Sequence, residues 1–279
     1  MTISIAYSSI IAHQRNWAAA SGIPFDDEGY TTSVDLNLFQ AMSADTQTDY
    51  ERGSGSEMRG AHERRPKMCA LHSSASLACN VFDYWRKKDL SPIATALRLP
   101  EVPMELSFEA QFPTGLRGEP PNLDVLFTRN QLPLLAIESK FTEPYGSPKK
   151  GPLLKEKYFP PDSPGLWTRR GLPRCQRLAD RLHNGGATFR RLDAAQLLKH
   201  MLGLATNDEN VCLLYLWYEY SGAEATEHRR EIQDFGNAIG SELGFRSLTY
   251  QEMLGDMLPR LDVQAARYVR YLVDRYLGS

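Results

Sequence analysis

The amino-acid sequence predicts an α/β protein in which a helix, three strands, a second helix and a fourth strand follow one another. Apolar residues recur at helical spacing over residues 67–85. Three segments of strand length lie between residues 104 and 140. A second segment with helical spacing, 192–204, leads into the apolar run 211–217. Helices that alternate in this way with strands are typical of the α/β class.

The first helix is predicted from one apolar face. That face comprises Leu71, Ala75, Ala78, Phe82 and Trp85. Beside it, His72, Ser76 and Asn80 are spaced four residues apart and form a polar line. This line either faces a bound substrate or is an ordinary stripe in solvent.

The three strands are predicted from alternation and from two apolar runs. Residues 104–112 alternate between apolar and polar, as a half-buried strand does. The apolar runs 123–128 and 134–140 are joined by the short segment 129–133, which predicts an antiparallel hairpin. Together the segments predict a three-stranded antiparallel meander.

The second helix begins with Asp193 and Gln196 in capping-box positions. The apolar run 211–217 that follows is consistent with a strand covered on both faces. Further helices are expected over 227–243 and 262–277, with an edge strand at 244–248. Thr249 and Glu252 form a second predicted capping box, which opens a short helix.

The chain is predicted to divide near residue 60. Residues 1–60 have few periodic apolar segments and read as a partly irregular N-terminal extension, whereas 61–279 carry the predicted core. The Gly/Ser stretch 53–56 suggests a join between the two. A Pro/Gly-rich connection, 143–172, is too long to be an incidental loop, so we expect it to be functional or mobile.

Composition excludes several classes of protein. No apolar stretch reaches the length of a membrane span, and the first residues lack a basic region followed by an apolar segment, so we expect a cytoplasmic protein with no membrane partner. The four cysteines are scattered, which argues against a thiolate zinc site and a disulfide framework. The sequence also lacks the motifs of phosphate-loop NTPases, serine hydrolases and zinc proteases.

Two acids and a lysine stand at the ends of the predicted hairpin strands. Asp124 begins the first strand, and Glu138 and Lys140 end the second. Because side chains alternate along a strand, Glu138 and Lys140 lie on one face, roughly 6 to 7 Å apart along the chain. The start of one hairpin strand lies beside the end of the other, so we expect Asp124 to face this pair.

These residue types fit a magnesium site. Mg²⁺ requires a near-octahedral shell of oxygens, of which one or two are usually carboxylates and the rest waters and substrate phosphate. The predicted ligands are Asp124, Glu138 and the main-chain carbonyl of Ser139, and Mn²⁺ is an expected substitute. The ammonium of Lys140 is suited to hold a water and to help deprotonate it.

At Asp124, Glu138 and Lys140 the chain resembles the PD-(D/E)XK nuclease superfamily, the restriction-endonuclease-like enzymes. Roughly residues 65–220 also resemble a group of bacterial restriction-endonuclease-like proteins whose role is poorly defined. One departure is the proline of the pattern, which is Pro121, three residues before Asp124, where the superfamily often has it adjacent.

The resemblance implies a Mg²⁺-dependent deoxyribonuclease, with Asp124 and Glu138 as metal ligands and Lys140 as the residue that positions the attacking water. It also implies a core of helix, antiparallel meander, helix and strand, to which this chain adds C-terminal helices. Periodicity predicts the same order of elements independently, and agreement between levels supports a prediction.

Three further residues are predicted to support the site. Glu109 lies on the polar face of the first strand, and Gln196 and Lys199 lie on the second helix. Alternatively, Glu109 is a plain exposed strand residue and Gln196 is only the cap partner of Asp193. His200 has no second histidine at ligand spacing, so we expect it to have a hydrogen-bonded packing role.

Charge is distributed unevenly along the chain. The formal net charge is −2, which excludes a globally basic nucleic-acid binder. Residues 141–200, directly after the predicted site, nevertheless hold twelve Lys or Arg against five acids. This excess either neutralises the phosphates of DNA or is a solvated face.

The sequence therefore predicts a metal-dependent nuclease that acts on DNA. The alternative is a catalytically inactive module that keeps the fold and binds DNA or a protein, since a fold does not fix a function. A chance match of the motif would leave Asp124 and Glu138 far apart in space. A homodimer is a further expectation, because cutting both strands of a duplex often requires two sites.

Overall fold

A five-stranded mixed sheet lies at the centre of the described part of the chain. The computed structural model describes residues 4–53, 56–60, 65–147, 154–161, 164–207 and 211–278. The strands are β1 (Glu105–Gln111), β2 (Asn122–Arg129), β3 (Leu132–Lys140), β4 (Cys212–Trp217) and β5 (Arg246–Thr249). They are ordered as they occur in the chain, so consecutive strands are neighbours in the sheet.

The first three strands pair antiparallel, and the last two add parallel to them. β2 pairs with β1 on one side and with β3 on the other, both antiparallel. β3 pairs with β4, and β4 with β5, in parallel. The predicted α/β class is confirmed, and the hairpin expected across residues 129–133 is present.

The helices surround this sheet. In chain order they are α1 (Ile5–Ala20), α2 (Ala44–Arg52), α3 (Ser56–Arg59), α4 (Ser74–Phe82), α5 (Ser91–Ala96), α6 (Pro173–His183), α7 (Ala194–Asn207), α8 (Ala223–Ile239), α9 (Tyr250–Met257) and α10 (Ala266–Leu272). Helix α4 packs on β2 and β3, and α2 packs on β1. Within the described ranges, none of these helices is both long and apolar enough to cross a bilayer.

Helix α4 is shorter than the helical pattern predicts. It is flanked by 3₁₀ turns at Lys67–Cys69 and Asp83–Trp85. The side chain of Ser73 accepts the N–H of Ser76, so the helix is capped at residue 73 and cannot begin at 67. The apolar face nevertheless packs as expected, because 3₁₀ turns keep residues three apart on one side.

Two residues of the polar line on α4 make hydrogen bonds inside the protein. The hydroxyl of Ser76 donates to the carbonyl of Met68 at 2.8 Å, and Nδ2 of Asn80 donates to the carbonyl of Asn37 at 3.0 Å. Ser76 and Asn80 are both buried. Neither the substrate-facing nor the solvent-stripe interpretation is therefore correct for these two residues.

The N-terminal sixty residues are more regular than the sequence predicts. They contain the sixteen-residue helix α1 and the nine-residue helix α2. The buried stripe of α1 is Ala6, Ile10, Gln14 and Ala18. Because this stripe contains one large apolar residue, two alanines and an amide, it carries little of the apolar signal by which helices are recognised. The division near residue 60 stays a prediction.

A buried arginine joins the two ends of the chain. Arg275 is fully buried, and its guanidinium donates to the side chain of Gln14 at 3.0 Å, to the carbonyl of Asn37 at 2.8 Å and to that of Leu71 at 3.1 Å. It also lies 4.3 Å from the centre of the Trp17 ring. Several oriented acceptors therefore compensate the desolvation of this charge.

The C-terminal elements follow their predicted order. Thr249 and Glu252 form the predicted capping box: the Thr249 hydroxyl accepts the N–H of Glu252 at 3.1 Å, and the Glu252 carboxylate accepts the N–H of Thr249 at 2.8 Å. The helix predicted over 262–277 is divided into a 3₁₀ turn at Val263–Ala265, α10 and a π-helical turn at Val273–Leu277.

Candidate active site

A row of polar side chains crosses the sheet at the C-terminal end of β3. The antiparallel register pairs Val125 with Ile137, and its extension by one residue sets Asp124 opposite Glu138. In the parallel register, Glu138 pairs with Tyr215 of β4. Opposed residues of neighbouring strands project from the same face, so the side chains of Asp124, Glu138 and Tyr215 adjoin one another.

Asp124 is tied to the neighbouring strand by the backbone. The N–H of Ser139 donates to Oδ2 of Asp124 at 2.6 Å. Within an extended strand the N–H and C=O of one residue point to the same side, so the carbonyl of Ser139 also faces β2. Burial, and then the charge of Glu138, raise the pKa of Asp124 well above its ordinary value, although Lys140 opposes this shift.

Glu138 lies between two nitrogen atoms. Nζ of Lys140 lies 2.5 Å from its Oε1, and Nε2 of His200 lies 3.0 Å from its Oε2. The imidazole lacks the alignment of a hydrogen bond, so Oε2 has no hydrogen-bond partner among the described residues. Burial would raise the pKa of Glu138, but Lys140 and His200 lower it to about 2.

Lys140 is more accessible than the carboxylate that it contacts. Its side chain is 13% exposed, against 2% for that of Glu138. Burial would lower the pKa of Lys140, but Glu138, Glu143 and Asp124 raise it well above its ordinary value. The residue therefore carries a positive charge at neutral pH and is suited to hold a water or a phosphate oxygen rather than to accept a proton.

Glu109 lies opposite Asp124 on the edge strand. The pairs Phe108 with Val125 and Ala110 with Leu123 flank this position in the register. Glu109 is buried, and its Oε2 accepts a hydrogen bond from Nδ2 of Asn122 at 2.7 Å, so the interpretation as a plain exposed residue is wrong. Burial raises the pKa of Glu109 to about 7, with further contributions from Glu57 and Glu138 and an opposing one from Asn122.

The backbone of Glu109 is strained. Its φ is 50°, in the left-handed region that residues with a side chain avoid. Such a conformation costs about 1–3 kcal/mol and is concentrated at functional sites. Gly53 approaches it closely, since a Cβ on Gly53 would lie 2.8 Å from Cβ of Glu109.

Of the two supporting residues predicted on α7, Gln196 and Lys199, only Gln196 lines the cavity beside Lys140. Gln196 lines a cavity of about 510 Å³ whose wall also includes Lys140, so its side chain adjoins the site. Its backbone N–H donates to Asp193 at 2.9 Å, as the capping prediction requires. Lys199 is partly buried on the same helix and is not part of the described cavity lining.

Three residues of the site, His200, Asn122 and Tyr215, have roles that the sequence does not predict. His200 contacts Glu138, whereas a packing role was expected. Its spacing from Leu197 and Leu204 places it on the buried face of α7, and that signal was available in the sequence. The positions of Asn122 and Tyr215 depend on strand register, which the sequence alone does not give.

Tyr215 is held by a buried histidine. Its hydroxyl lies 3.0 Å from Nε2 of His228. Burial, together with the charge of Arg191, lowers the pKa of His228 to about 3, so the imidazole is neutral at physiological pH. Among the described residues, Nδ1 of His228 has no hydrogen-bond partner.

The donor set fits a magnesium ion that keeps much of its water shell. Asp124 lies close enough to Glu138 for the charge of Glu138 to raise its pKa, and Oε2 of Glu138 lies 3.0 Å from Nε2 of His200 without a hydrogen bond in the described structure. Within the described ranges, no three or more His, Cys, Asp or Glu form a cluster that could enclose a metal. Water and a substrate phosphate would therefore complete the shell.

Comparison with known proteins gives one family. A family model described as "Restriction Endonuclease associating with ARP" matches residues 10–277, nearly the whole chain. The resemblance to restriction-endonuclease-like proteins is thereby confirmed. No curated protein and no solved structure matches the chain.

Proposed function

Because the chain belongs to this restriction-endonuclease family, we propose that it is a metal-dependent nuclease that hydrolyses phosphodiester bonds of DNA. The observation that carries the proposal is the hydrogen bond from the N–H of Ser139 to Asp124, which ties this acid to the strand end where Glu138 and Lys140 contact each other. A chance motif would leave these groups on separate surfaces. We assign the PD-(D/E)XK pattern to these three residues.

The order of elements supports this assignment. We identify the helix, meander, helix and strand of the nuclease core with α4, β1 to β3, α7 and β4. In this arrangement β2 and β3 carry the acids, while α7 brings His200 and Gln196 to the same region. Each candidate residue therefore sits on a regular element, which fixes its position better than a loop does.

Asp124, Glu138 and the carbonyl of Ser139 would hold Mg²⁺, or Mn²⁺ in its place. When bound, the ion supplies charge neutralisation at the phosphate under attack and lowers the pKa of water. The high pKa of Asp124 reflects burial near another carboxylate, so occupation of the site by a cation favours the charged form. The N–H of Ser139 orients the carboxylate of Asp124 by a hydrogen bond, and the imidazole of His200 lies 3.0 Å from the carboxylate of Glu138.

Lys140 would position the attacking water. Its ammonium is charged, partly exposed and held against Glu138, so it presents N–H donors at a fixed place beside the ligands. The hydroxyl of Tyr215, fixed by His228, offers another polar group on the same face. Phosphoryl transfer depends mostly on such positioning and on charge stabilisation.

The basic segment that follows the site supports DNA as the substrate. Arg177, Arg181 and Arg190 are exposed within it, and Arg190 lines the cavity that reaches Lys140. Neutralisation of backbone phosphates supplies most of the sequence-independent affinity for nucleic acid. Homodimerisation remains a proposal, and nothing in one chain's geometry requires it.

The alternative is a catalytically inactive module that keeps the fold and binds DNA or a protein. It is favoured by one observation: within the described ranges, no ready-made cluster of three or more metal-binding side chains is present. Such a module would bind DNA in a strongly salt-dependent way, and its binding would be indifferent to Mg²⁺ and to Asp124→Asn.

Incubation with circular plasmid and with single-stranded circular DNA tests the proposal. We expect cleavage with Mg²⁺ or Mn²⁺, none with excess EDTA, and none by Asp124→Asn protein that has a wild-type circular dichroism spectrum. Cleavage that persists in EDTA, or in the Asp124→Asn variant, would contradict a metal-dependent site at these residues.

A further inference from the structure

One cavity opens directly onto the proposed catalytic lysine. It has a volume of about 510 Å³, and its wall includes Lys140, Tyr215 and Gln196. Cavities of a few hundred cubic ångströms that combine apolar walls with a few polar groups are typical of small-molecule and nucleotide sites. The cavity is therefore the natural place for the part of the substrate next to the bond that is cut.

On the side of the sheet edge formed by β1, other parts of the protein cover the acids. Glu138 and Glu109 are both buried. On the β1 side, Asp49 of α2 accepts the N–H of Phe108 at 3.0 Å, and Gly53 lies against Glu109. Lys140 is partly exposed and reaches the cavity, so the substrate approaches the site from that side.

The cavity wall has the chemistry of a nucleoside site. Phe189 and Leu192 supply apolar surface. Phe189 packs edge-on against Phe235, with ring centres 6.3 Å apart, and its partial burial leaves part of the ring at the cavity wall, where a base can stack. Gln196 supplies an amide that hydrogen-bonds a base edge. Lys140 and the exposed Arg190 supply cationic groups for a phosphate.

The wall is also rigid. The carboxylate of Glu231 accepts the backbone N–H groups of Arg190, Arg191 and Leu192, each at 2.8 Å. Nε of Arg191 donates to Glu227 at 2.6 Å. The loop that forms one side of the cavity is therefore held in place before any ligand binds, and preorganisation of this kind favours binding.

The cavity is too small for a duplex. A volume of 510 Å³ equals that of a cube with an edge of about 8 Å. A B-DNA duplex is wider than its own major groove, which is roughly 12 Å across, so the duplex is too wide to enter the cavity. One nucleotide fits such a space only if its base has left the helical stack.

We propose that this cavity binds one unstacked deoxynucleotide beside the scissile phosphate, so that the protein prefers single-stranded DNA to intact duplex. The base stacks on Phe189 and its edge meets Gln196, while the adjoining phosphate meets Lys140. The inference rests on the proposed function for the identity of the substrate. Presenting a base in this way from a duplex costs the energy of breaking a base pair, whereas a single strand has no base pair to break.

Fluorescence anisotropy tests the proposal independently of cleavage. Wild-type protein in EDTA is titrated against a 5′-fluorescein-labelled 12-nucleotide single strand and against the same strand in a blunt duplex. We expect the single strand to bind at least about tenfold more tightly, the ratio set by the cost of unstacking one base. Equal affinity, or tighter binding of the duplex, would overturn the proposal.

Two variants locate the binding. Thr188 is exposed on the cavity rim, so Thr188→Trp obstructs the cavity without disturbing a buried contact, and Phe189→Ala removes the stacking surface. We expect each to weaken single-strand binding by about tenfold. The matched control is Thr95→Trp, at an exposed threonine of α5 that lies outside the cavity lining, and its affinity should equal wild type.

Each combination of results has a meaning. If both cavity variants fold, as judged by circular dichroism, and bind the single strand like the control, the cavity is not the nucleotide site. If the single-strand preference and its loss in the variants are observed while Mg²⁺ produces no cleavage, the nucleotide site stands and the proposed nuclease function fails.

Discussion

The backbone N–H of Ser139 donates to the carboxylate of Asp124 at 2.6 Å, which links the strand that carries one proposed ligand to the strand that carries the other. This hydrogen bond holds Asp124 across from Glu138 whether or not its carboxyl is charged. The sheet therefore fixes the position of Asp124, whereas the charge of its carboxyl depends on whether a cation is bound.

Asp124→Asn is expected to preserve the metal-free fold. The pKa of Asp124 is raised well above its ordinary value, chiefly by burial and then by the charge of Glu138, so the site without metal favours the protonated form of this residue. Asparagine has nearly the shape of that protonated form and still accepts the Ser139 N–H. The free energy of unfolding in EDTA, measured with urea, should lie within about 1 kcal/mol of wild type. A loss several times larger would mean that a charged Asp124 supports the fold.

Metal binding should stabilise wild type and not this variant. Mn²⁺ at one hundred times its dissociation constant adds about 2.7 kcal/mol to the free energy of unfolding of a protein with one site. We therefore expect Mn²⁺ to raise the melting temperature of wild type only, and calorimetric titration to give heat with wild type and none with Asp124→Asn. Equal stabilisation of both proteins would place the metal elsewhere.

Glu138 and Lys140 are expected to depend on each other for stability. Each neutralising substitution, Glu138→Gln or Lys140→Met, leaves one charge without its partner at 2.5 Å, and loss of one member of a buried pair costs about 3 kcal/mol. The double variant removes both charges, so its loss should be smaller than the sum by about 2 kcal/mol. Urea unfolding of all four proteins measures this coupling, and strict additivity would show that the pair is not formed.

His228 should make the protein less stable in mild acid. Its pKa is about 3 in the folded protein, because of burial and then Arg191, and about 6.5 when unfolded. Stability from this group is present above pH 6.5 and is lost as the pH falls toward 3. Between pH 7 and pH 5 wild type should lose about 2 kcal/mol relative to His228→Gln. Parallel stability profiles over that interval would show that His228 becomes protonated without penalty.

The hydrophobic pattern predicted the elements near the site well. The runs 123–128 and 134–140 are strands because alternating and apolar segments have few other ways to bury their side chains, and the hairpin between them follows from the short connection. The alternation rule also placed Glu138 and Lys140 on one face, where they meet. These features depend on local sequence, so they could be predicted.

The features that the sequence did not predict depend on contacts between residues that are far apart in the chain. Glu109 reads as exposed because it lies on the polar face of an alternating strand, yet α2 and Gly53 cover it. Helix α1 escaped prediction because half of its buried stripe is alanine and the stripe includes Gln14. Arg275 gives no local sign that it will be buried, since its partners are carbonyl and amide groups from the other end of the chain.

Lys140 provides the most direct test of the proposed nuclease. The single-turnover rate of Mg²⁺-dependent DNA cleavage is measured for wild type and for Lys140→Met, with metal affinity from calorimetry as the control for an intact site. Removal of one positioned hydrogen-bond donor costs about 10²- to 10³-fold in rate, so we expect the rate to fall by at least about a hundredfold while metal still binds. A variant that binds metal and cleaves within threefold of the wild-type rate would contradict the role assigned to Lys140, and with it the proposed nuclease site.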